Sequence, residues 1–324
     1  MKRIKRLLEI IGVTGYEDEI RKYIINEIKN SIDQIEIDNM GNIIACKKGN
    51  GKSKKKLMIV AHMDEIGIQI TSFSQDGKVR FKTLGSLKTD NLYMNKIMFR
   101  NGEVGIVSSD NDIKNVGIKQ FESLYIDCGY RSQKEVGNVL EIGEVGTFYN
   151  QYYEKNNIIM GKAIDNRVGC YVLIELINKM SNIKDDIYFV FSTQEEFGLK
   201  GIKAATSKIQ PDLAIGIDTI SVENLEDIEL GKGVAIKISD SMTICDENLV
   251  KQFKQIAYNY KILTQLEVSN VGATELGVID ESSTGVRVVG LSIPIRYGHT
   301  AQAIVNKADI KSCSLILEKF FEHM

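Results

Sequence analysis

The stretch Ile187-Tyr188-Phe189-Val190-Phe191, running on into Ser192-Thr193-Gln194-Glu195-Glu196-Phe197-Gly198, decides the fold. Its first five residues are apolar, mostly β-branched or aromatic, and show no helical period, so they predict a buried strand. Two adjacent carboxylates follow at the strand's end, where burial is costly unless a cation or solvent receives them. Neighbouring side chains diverge, so one carboxylate can bind a metal while the other faces a reacting water. Taken alone, Glu195-Glu196 also reads as an exposed acidic turn.

The same pattern recurs outward from this stretch. Leu57-Met58-Ile59-Val60-Ala61 ends at His62-Met63-Asp64-Glu65, and Leu213-Ala214-Ile215-Gly216-Ile217 ends at Asp218. Val286 to Ile295 reads as one or two strands before Arg296-Tyr297-Gly298-His299. Amphipathic helices are expected between them: one with Ile4, Leu7, Leu8 and Ile11, and one with Ile20, Ile24, Ile25 and Ile28. Thr14-Gly15-Tyr16-Glu17 has the form of a capping box for the second. Ile35–Asp38 and Asn42–Lys47 read as a hairpin turning through Asn39-Met40-Gly41. Further helices are expected from Asp165, from Gly201 to Lys208, from Asn248 to Tyr260 and from Lys307 to His323. Strands alternating with helices predict an α/β fold, an α/β/α sandwich with a mostly parallel sheet.

Between residues 69 and 157 the texture changes. Strands shorten and turn signals crowd together: Gln75-Asp76-Gly77, Asn101-Gly102 (expected as a type I′ hairpin) and the Asn/Asp run from Ser109 to Asn115. Helical periodicity is confined to a turn near Ser132–Val136. This predicts a small all-β domain, 69–157, inserted into a catalytic domain made of 1–68 and 158–324.

A net charge of −2 offers no electrostatic footprint for nucleic acid or an anionic membrane, and no apolar run approaches spanning length. The basic stretch Lys47–Lys56 reads as a solvated loop. Five scattered cysteines form no paired spacing, which fits a reducing cytoplasm better than a disulfide framework. Glu9 interrupts the N-terminal apolar stretch, so that segment reads as a surface helix rather than a signal peptide.

His62, Glu195, Glu196, Asp218 and His299 therefore all fall just past the C-terminal ends of expected strands, the edge where α/β sheets bind ligands. Each also has a plain structural reading: a satisfied histidine, a turn residue, a loop residue, or for Asp165 a helix N-cap. All of these readings together would require every such residue to fall at one edge by accident. Imidazoles and carboxylates without thiolate suit zinc, cobalt or manganese. Three carboxylate ligands, Asp165, Glu196 and Asp218, with a hydroxide supply four negative charges, which two divalent ions neutralise. Asp64 stands two residues from His62 and suits orientation of its imidazole.

Four motifs occur in order: His62-Met63-Asp64-Glu65-Ile66-Gly67, Gly161-Lys162-Ala163-Ile164-Asp165-Asn166-Arg167, Thr193-Gln194-Glu195-Glu196-Phe197-Gly198 and Ile293-Pro294-Ile295-Arg296-Tyr297-Gly298-His299. In these, from Glu17-Asp18-Glu19 to near the C-terminus, the chain resembles the glutamyl, leucyl and deblocking aminopeptidases that form tetrahedral particles. The resemblance implies a co-catalytic pair of divalent ions, zinc or cobalt first and manganese next. It makes Asp165 the bridging carboxylate, with His62 and Asp218 completing one metal and Glu196 and His299 the other. Glu195 would be the general base, taking a proton from a bridging water that attacks the peptide carbonyl. Asp64 would be the partner of His62.

The implied substrates are peptides with a free N-terminus. The implied partner is the chain itself, as a homo-oligomer up to a dodecamer, with the inserted segment helping to build it. An amide deacylase on the same core and a metal-binding scaffold without turnover are the alternatives. Some relatives have been labelled cellulases, a chemistry that ordinarily uses two carboxylates and no metal. The chain departs from the family at Gly272-Ala273-Thr274-Glu275-Leu276 and at Thr300-Ala301-Gln302. It also carries Glu223, Glu226, Asp227 and Glu229 after Asp218, an acidic segment expected to favour basic or neutral N-terminal residues.

Overall fold

The computed structural model describes residues 2–51, 55–110, 121–149, 151–181, 183–225, 227–270 and 272–323. Part of the Ser109–Asn115 run, part of the basic loop, and Glu226 lie outside these residues. Among the described residues the strands form two sheets. β1 (Gln34–Ile37) and β2 (Ile43–Lys47) make the expected hairpin, and β3 (Lys56–His62) follows. The chain then enters β4 (Gly67–Phe73), β5 (Val79–Leu84), β6 (Lys96–Phe99), β7 (Val104–Ser109), β8 (Leu124–Asp127) and β9 (Val145–Phe148). These close into a barrel in the order β4-β5-β8-β7-β6-β9, antiparallel throughout, which leaves no free edge.

The large sheet resumes with β10 (Tyr153–Lys155), β11 (Ile158–Gly161), β12 (Asp186–Ser192), β13 (Leu213–Ser221), β14 (Val234–Ser239), β15 (Thr264–Val268), β16 (Arg287–Arg296) and β17 (Ala303–Asn306). Its order is β1-β2-β12-β3-β13-β16-β17-β11-β10, with β14 and β15 set off from β16. The central strands β12, β3, β13 and β16 are parallel, and antiparallel strands flank them.

The helices are α1 (Lys2–Glu9), α2 (Asp18–Ile28), the short α3 (Thr89–Leu92) and α4 (Gln133–Gly137), α5 (Ile164–Lys179), α6 (Lys200–Ile209), α7 (Glu247–Tyr260), α8 (Leu276–Asp280) and α9 (Lys307–His323). Consecutive residues of β3 show how they pack. Ala61 lies against Gly169 of α5, where an added Cβ would stand only 3.0 Å from that of Ala61. Val60 points the other way, beside Gly216 in the neighbouring strand, which Leu276 of α8 covers. Helices therefore press on both faces, and that is why the central strands are unbroken apolar runs.

One feature of the ladder positions the site. β12 and β3 stay paired as far as Ser192↔His62, and β13 and β16 as far as Ser221↔Ile295. The β3–β13 ladder stops earlier, at Gly216↔Val60. The chain leaves β3 towards β12 on one side and β13 towards β16 on the other, so this is the topological switch point, where such sheets open a crevice.

Several expectations change. Asp218 lies inside β13 rather than past its end, because pairing with β16 carries the strand on to Ser221. The β6–β7 turn is not type I′: only Gly102 has a positive φ, and Gly102 N–H bonds to Phe99 O, giving a three-residue loop with a left-handed glycine. The barrel strands run from Gly67 to Phe148, whereas β10, within the expected 69–157 segment, pairs in the large sheet. Thr14 and Glu17 form no capping box, and Glu17 makes no side-chain cap to α2.

Candidate active site

Beyond the point where β3 and β13 part, α5 fills the gap. At its start Asp165 and Asn166 depart from helical geometry, joined by a cis peptide bond. Asn166 Nδ2 donates to Ile217 O at 2.7 Å and Cys170 Sγ to His62 O at 3.1 Å, so α5 takes up strand carbonyls near the end of the shared ladder. Asp165 is thereby brought over the crevice, between the end of β3 and the loop after β16.

The expected side chains converge there. His62 Nε2 is 3.4 Å from Asp165 Oδ1 and 3.7 Å from Asp218 Oδ1. His299 Nε2 is 3.4 Å from Asp165 Oδ2 and 3.3 Å from Glu196 Oε1. Two groups, His62–Asp165–Asp218 and Asp165–Glu196–His299, thus each have their ligand atoms within 4.8 Å of one another, and they share Asp165. Tetrahedral ligands on bonds of about 2.0–2.2 Å stand about 3.4 Å apart, so both spacings fit a divalent ion. Glu195 Oε2 is 3.8 Å from His62 Nε2. The side chains line a cleft of about 410 Å³ with Lys237 and Glu267 on its wall.

The imidazoles are set up to present Nε2. His299 Nδ1 lies 3.0 Å from Ser86 O, and a carbonyl only accepts, so Nδ1 carries the proton. Ser86 belongs to the segment between β5 and α3. His62 Nδ1 faces Asp64 Oδ1 at 3.4 Å. Asp64 also accepts the backbone N–H groups of Glu195 (3.1 Å) and Glu196 (3.2 Å), so it joins the His62 strand to the acidic loop.

The electrostatics demand cations. Burial raises Glu195 well above the usual carboxylate range, and Asp218, Glu196 and Asp64 add to the rise against the pull of His62. Burial raises Glu196 and Asp218 as well. Asp165 goes the other way, since His299 and His62 outweigh its burial. Burial opposes protonation of both imidazoles, but surrounding carboxylates lift His62 well above its ordinary value and His299 to about 11. Asp165 Oδ1 and His62 Nδ1 are buried without a hydrogen-bond partner, an arrangement costly without another charge. Carboxylates and imidazoles in this state fit divalent metal ions.

Other residues around the site carried no such expectation. Glu275 is buried, with Oε1 unpartnered, and its burial pushes it up to about 8. Lys237 is held between Asp240 (2.8 Å) and Glu267 (2.9 Å). Asn42 and Glu17 reach the acidic loop from the N-terminal segment. Glu275 stood out only as a departure from a family pattern, and Ser86, acting through its backbone, left no sequence signal.

The M42 glutamyl aminopeptidase family matches residues 41–316. A protein of Acetivibrio thermocellus, named as an unproven aminopeptidase, is 36% identical over 319 residues, covering 97% of this chain and 96% of its own. An aminopeptidase of the archaeon Desulfurococcus kamchatkensis has a TM-score of 0.95 at 30% identity, over 100% of this chain and 94% of that one. The TET1 peptidase of Pyrococcus horikoshii, described as assembling into a tetrahedron or a large octahedral shell, has a TM-score of 0.89 at 27% identity, over 99% and 98%. The chain belongs to the M42 glutamyl aminopeptidase family, and its activity is that of a metal-dependent aminopeptidase.

Proposed function

We propose that this cluster would hold two divalent ions, one at His62, Asp165 and Asp218 and the other at Asp165, Glu196 and His299, with Asp165 shared between the two sites. The observation that carries this reading is the division of labour within Asp165, whose Oδ1 faces His62 and whose Oδ2 faces His299. Zinc or cobalt suits these donors best, and manganese next. Bound there, the ions would lower the pKa of a coordinated water and polarise the peptide carbonyl.

Glu195 is the general base. It makes neither of the two triads, yet its carboxylate reaches the same space beside His62. It takes the proton of the attacking water and passes it to the departing amine nitrogen. Asp64 holds the Glu195 and Glu196 backbone and faces His62, which keeps base and ligands in one register. The acidic floor of the cleft suits a substrate's cationic α-amino group, which favours removal of N-terminal residues from peptides.

The two-faced helix packing supports a three-layer α/β/α catalytic unit, with the barrel as an inserted domain that helps build a homo-oligomer, up to a dodecamer. Exposed apolar residues such as Ile142 on the barrel segment and Val268 on β15 fit burial between copies. None of the described helices is long and apolar enough to cross a membrane, and we place the enzyme in the cytoplasm.

Glu195→Gln tests the reading, with metal content measured beside hydrolysis of aminoacyl arylamides. Two equivalents of metal should remain while kcat falls by roughly 10²–10⁴. Full-speed turnover would remove Glu195 from the mechanism. Cleavage of N-acetylated substrates alone would point to a deacylase.

A further inference from the structure

Four successive backbone amides in the acidic loop are each held by a side chain from outside it. Thr193 N–H donates to Asn42 Oδ1 (2.9 Å), Gln194 N–H to Glu17 Oε1 (3.2 Å), and Glu195 and Glu196 N–H to the two oxygens of Asp64. The carbonyls are tied as well, Thr193 O by Gly201 N–H and Gln194 O by Lys200 N–H. Gln194 sits at φ +52°, a left-handed conformation that a non-glycine residue keeps only when its surroundings hold it. Its amide partner, Glu17, is 3% exposed. The same Glu17 oxygen takes Gly15 N–H at 2.7 Å, and the other lies 3.9 Å from Arg21 Nη2.

Glu17 looks like the closing residue of a capping box, but its carboxylate leaves the helix end and crosses to a loop 177 residues on. We propose that Glu17 is a positioning residue for the reaction: by clamping Gln194 N–H it fixes the left-handed turn that aims Glu195 into the cleft. This rests on Glu195 being the base. A carboxylate that holds the amide of the residue before the base, and touches neither metal site, acts on the base's orientation. Its loss should slow turnover without emptying the site or weakening substrate binding.

The test compares Glu17→Leu, Glu17→Asp and Glu17→Gln in metal-reconstituted protein, reading kcat, KM, metal content and thermal midpoint. Leu removes the acceptor and Asp withdraws it by one methylene, whereas Gln keeps an acceptor oxygen at the same reach. Glu17→Leu and Glu17→Asp should lower kcat about ten- to a hundredfold, the scale of a small misplacement, with KM within about twofold and both metals retained. Glu17→Gln should recover most of the rate. In a Glu195→Gln background, Glu17→Asp should add little further loss.

Wild-type kcat in a folded, metal-replete Glu17→Asp or Glu17→Leu protein overturns the proposal. A Glu17→Asp loss that multiplies undiminished onto that of Glu195→Gln also overturns it. If Glu195→Gln itself runs at full speed, the base assignment falls and this proposal with it; the first two results sink only this one.

Discussion

His299 donates its Nδ1–H to the backbone carbonyl of Ser86, 3.0 Å away, so a residue between β5 and α3 orients one side chain of the candidate metal site. Asn91 of α3 supports the contact, donating Nδ2–H to His299 O at 3.3 Å. A partner on the second ring nitrogen commonly tunes metal affinity by about 10–100-fold, and Asn91 steadies the backbone that carries this ring. Asn91→Ala should therefore weaken one of two metal-binding steps about tenfold and leave the other unchanged. Titration of chelated protein with zinc checks this, and two unchanged affinities would free the site from the barrel.

A second link between the two β-structures is buried. Glu65, just beyond β3, takes Lys162 Nζ on both oxygens (2.8 and 2.7 Å), Gly12 N–H at 2.9 Å and Thr147 Oγ1–H of β9 at 2.9 Å. Arg167 stands 3.6 Å away. Glu65, Lys162 and Arg167 are all nearly inaccessible, and burial pulls the Lys162 ammonium below its ordinary pKa. Removing Glu65 leaves two buried cations without their shared partner, at a typical cost of about 3–5 kcal/mol. Glu65→Leu should cost that much in urea unfolding, and Glu65→Leu with Lys162→Met should recover part of it. A loss below about 1 kcal/mol would show that backbone carbonyls alone hold Lys162 and Arg167.

Much of this arrangement is legible in the chain because the physics is local. Burial on both faces forces β3, β12 and β13 into apolar runs, and charged residues at such ends stand out against them. His62, Glu195, Glu196 and His299 fall where that logic puts them. Asp218 is the exception: an aspartate is a poor strand former, yet its strand continues through pairing with β16. Glu17 looks like a cap in sequence, since nothing in Thr-x-x-Glu distinguishes a carboxylate folded back on its helix from one reaching a distant loop. Sequence texture alone does not separate the barrel strands from β10, a short strand whose sheet is set by its partner β11.

Away from the site, Asp246 caps α7 through Leu249 N–H (2.9 Å) and takes Arg287 on both oxygens (2.9 and 3.0 Å). The Arg287 guanidinium and the cap hold its carboxyl down at about 2, below the 3.8 of a free aspartate. A depressed acid contributes stability above its unfolded pKa and loses it as pH falls through the folded value. The difference in stability between the wild type and Asp246→Ala should thus be full above about pH 5 and narrow from pH 4 towards 2. Arg287 is largely exposed, so the pair itself adds under about 1 kcal/mol, and the cap about 1 more. Unfolding followed at pH 6 and pH 3 tests this, and a gap that widens at pH 3 reverses the sign.

The cleft wall also bears on which N-terminal residue is removed. Among the described lining residues Lys237 is the only lysine or arginine, and Asp240 and Glu267 already hold it at 2.8 and 2.9 Å. One ammonium against two carboxylates leaves no spare positive charge for an acidic side chain entering beside it. A carboxylate buried without a cation is strongly disfavoured, whereas an aliphatic or cationic side chain meets no such cost. Leucyl and lysyl arylamides should therefore be cleaved with kcat/KM at least about tenfold above the glutamyl compound. Glu267→Gln, which frees part of the Lys237 charge, should narrow that ratio. A glutamyl preference in the wild type would mean that an acidic side chain binds elsewhere in the cleft, away from Lys237.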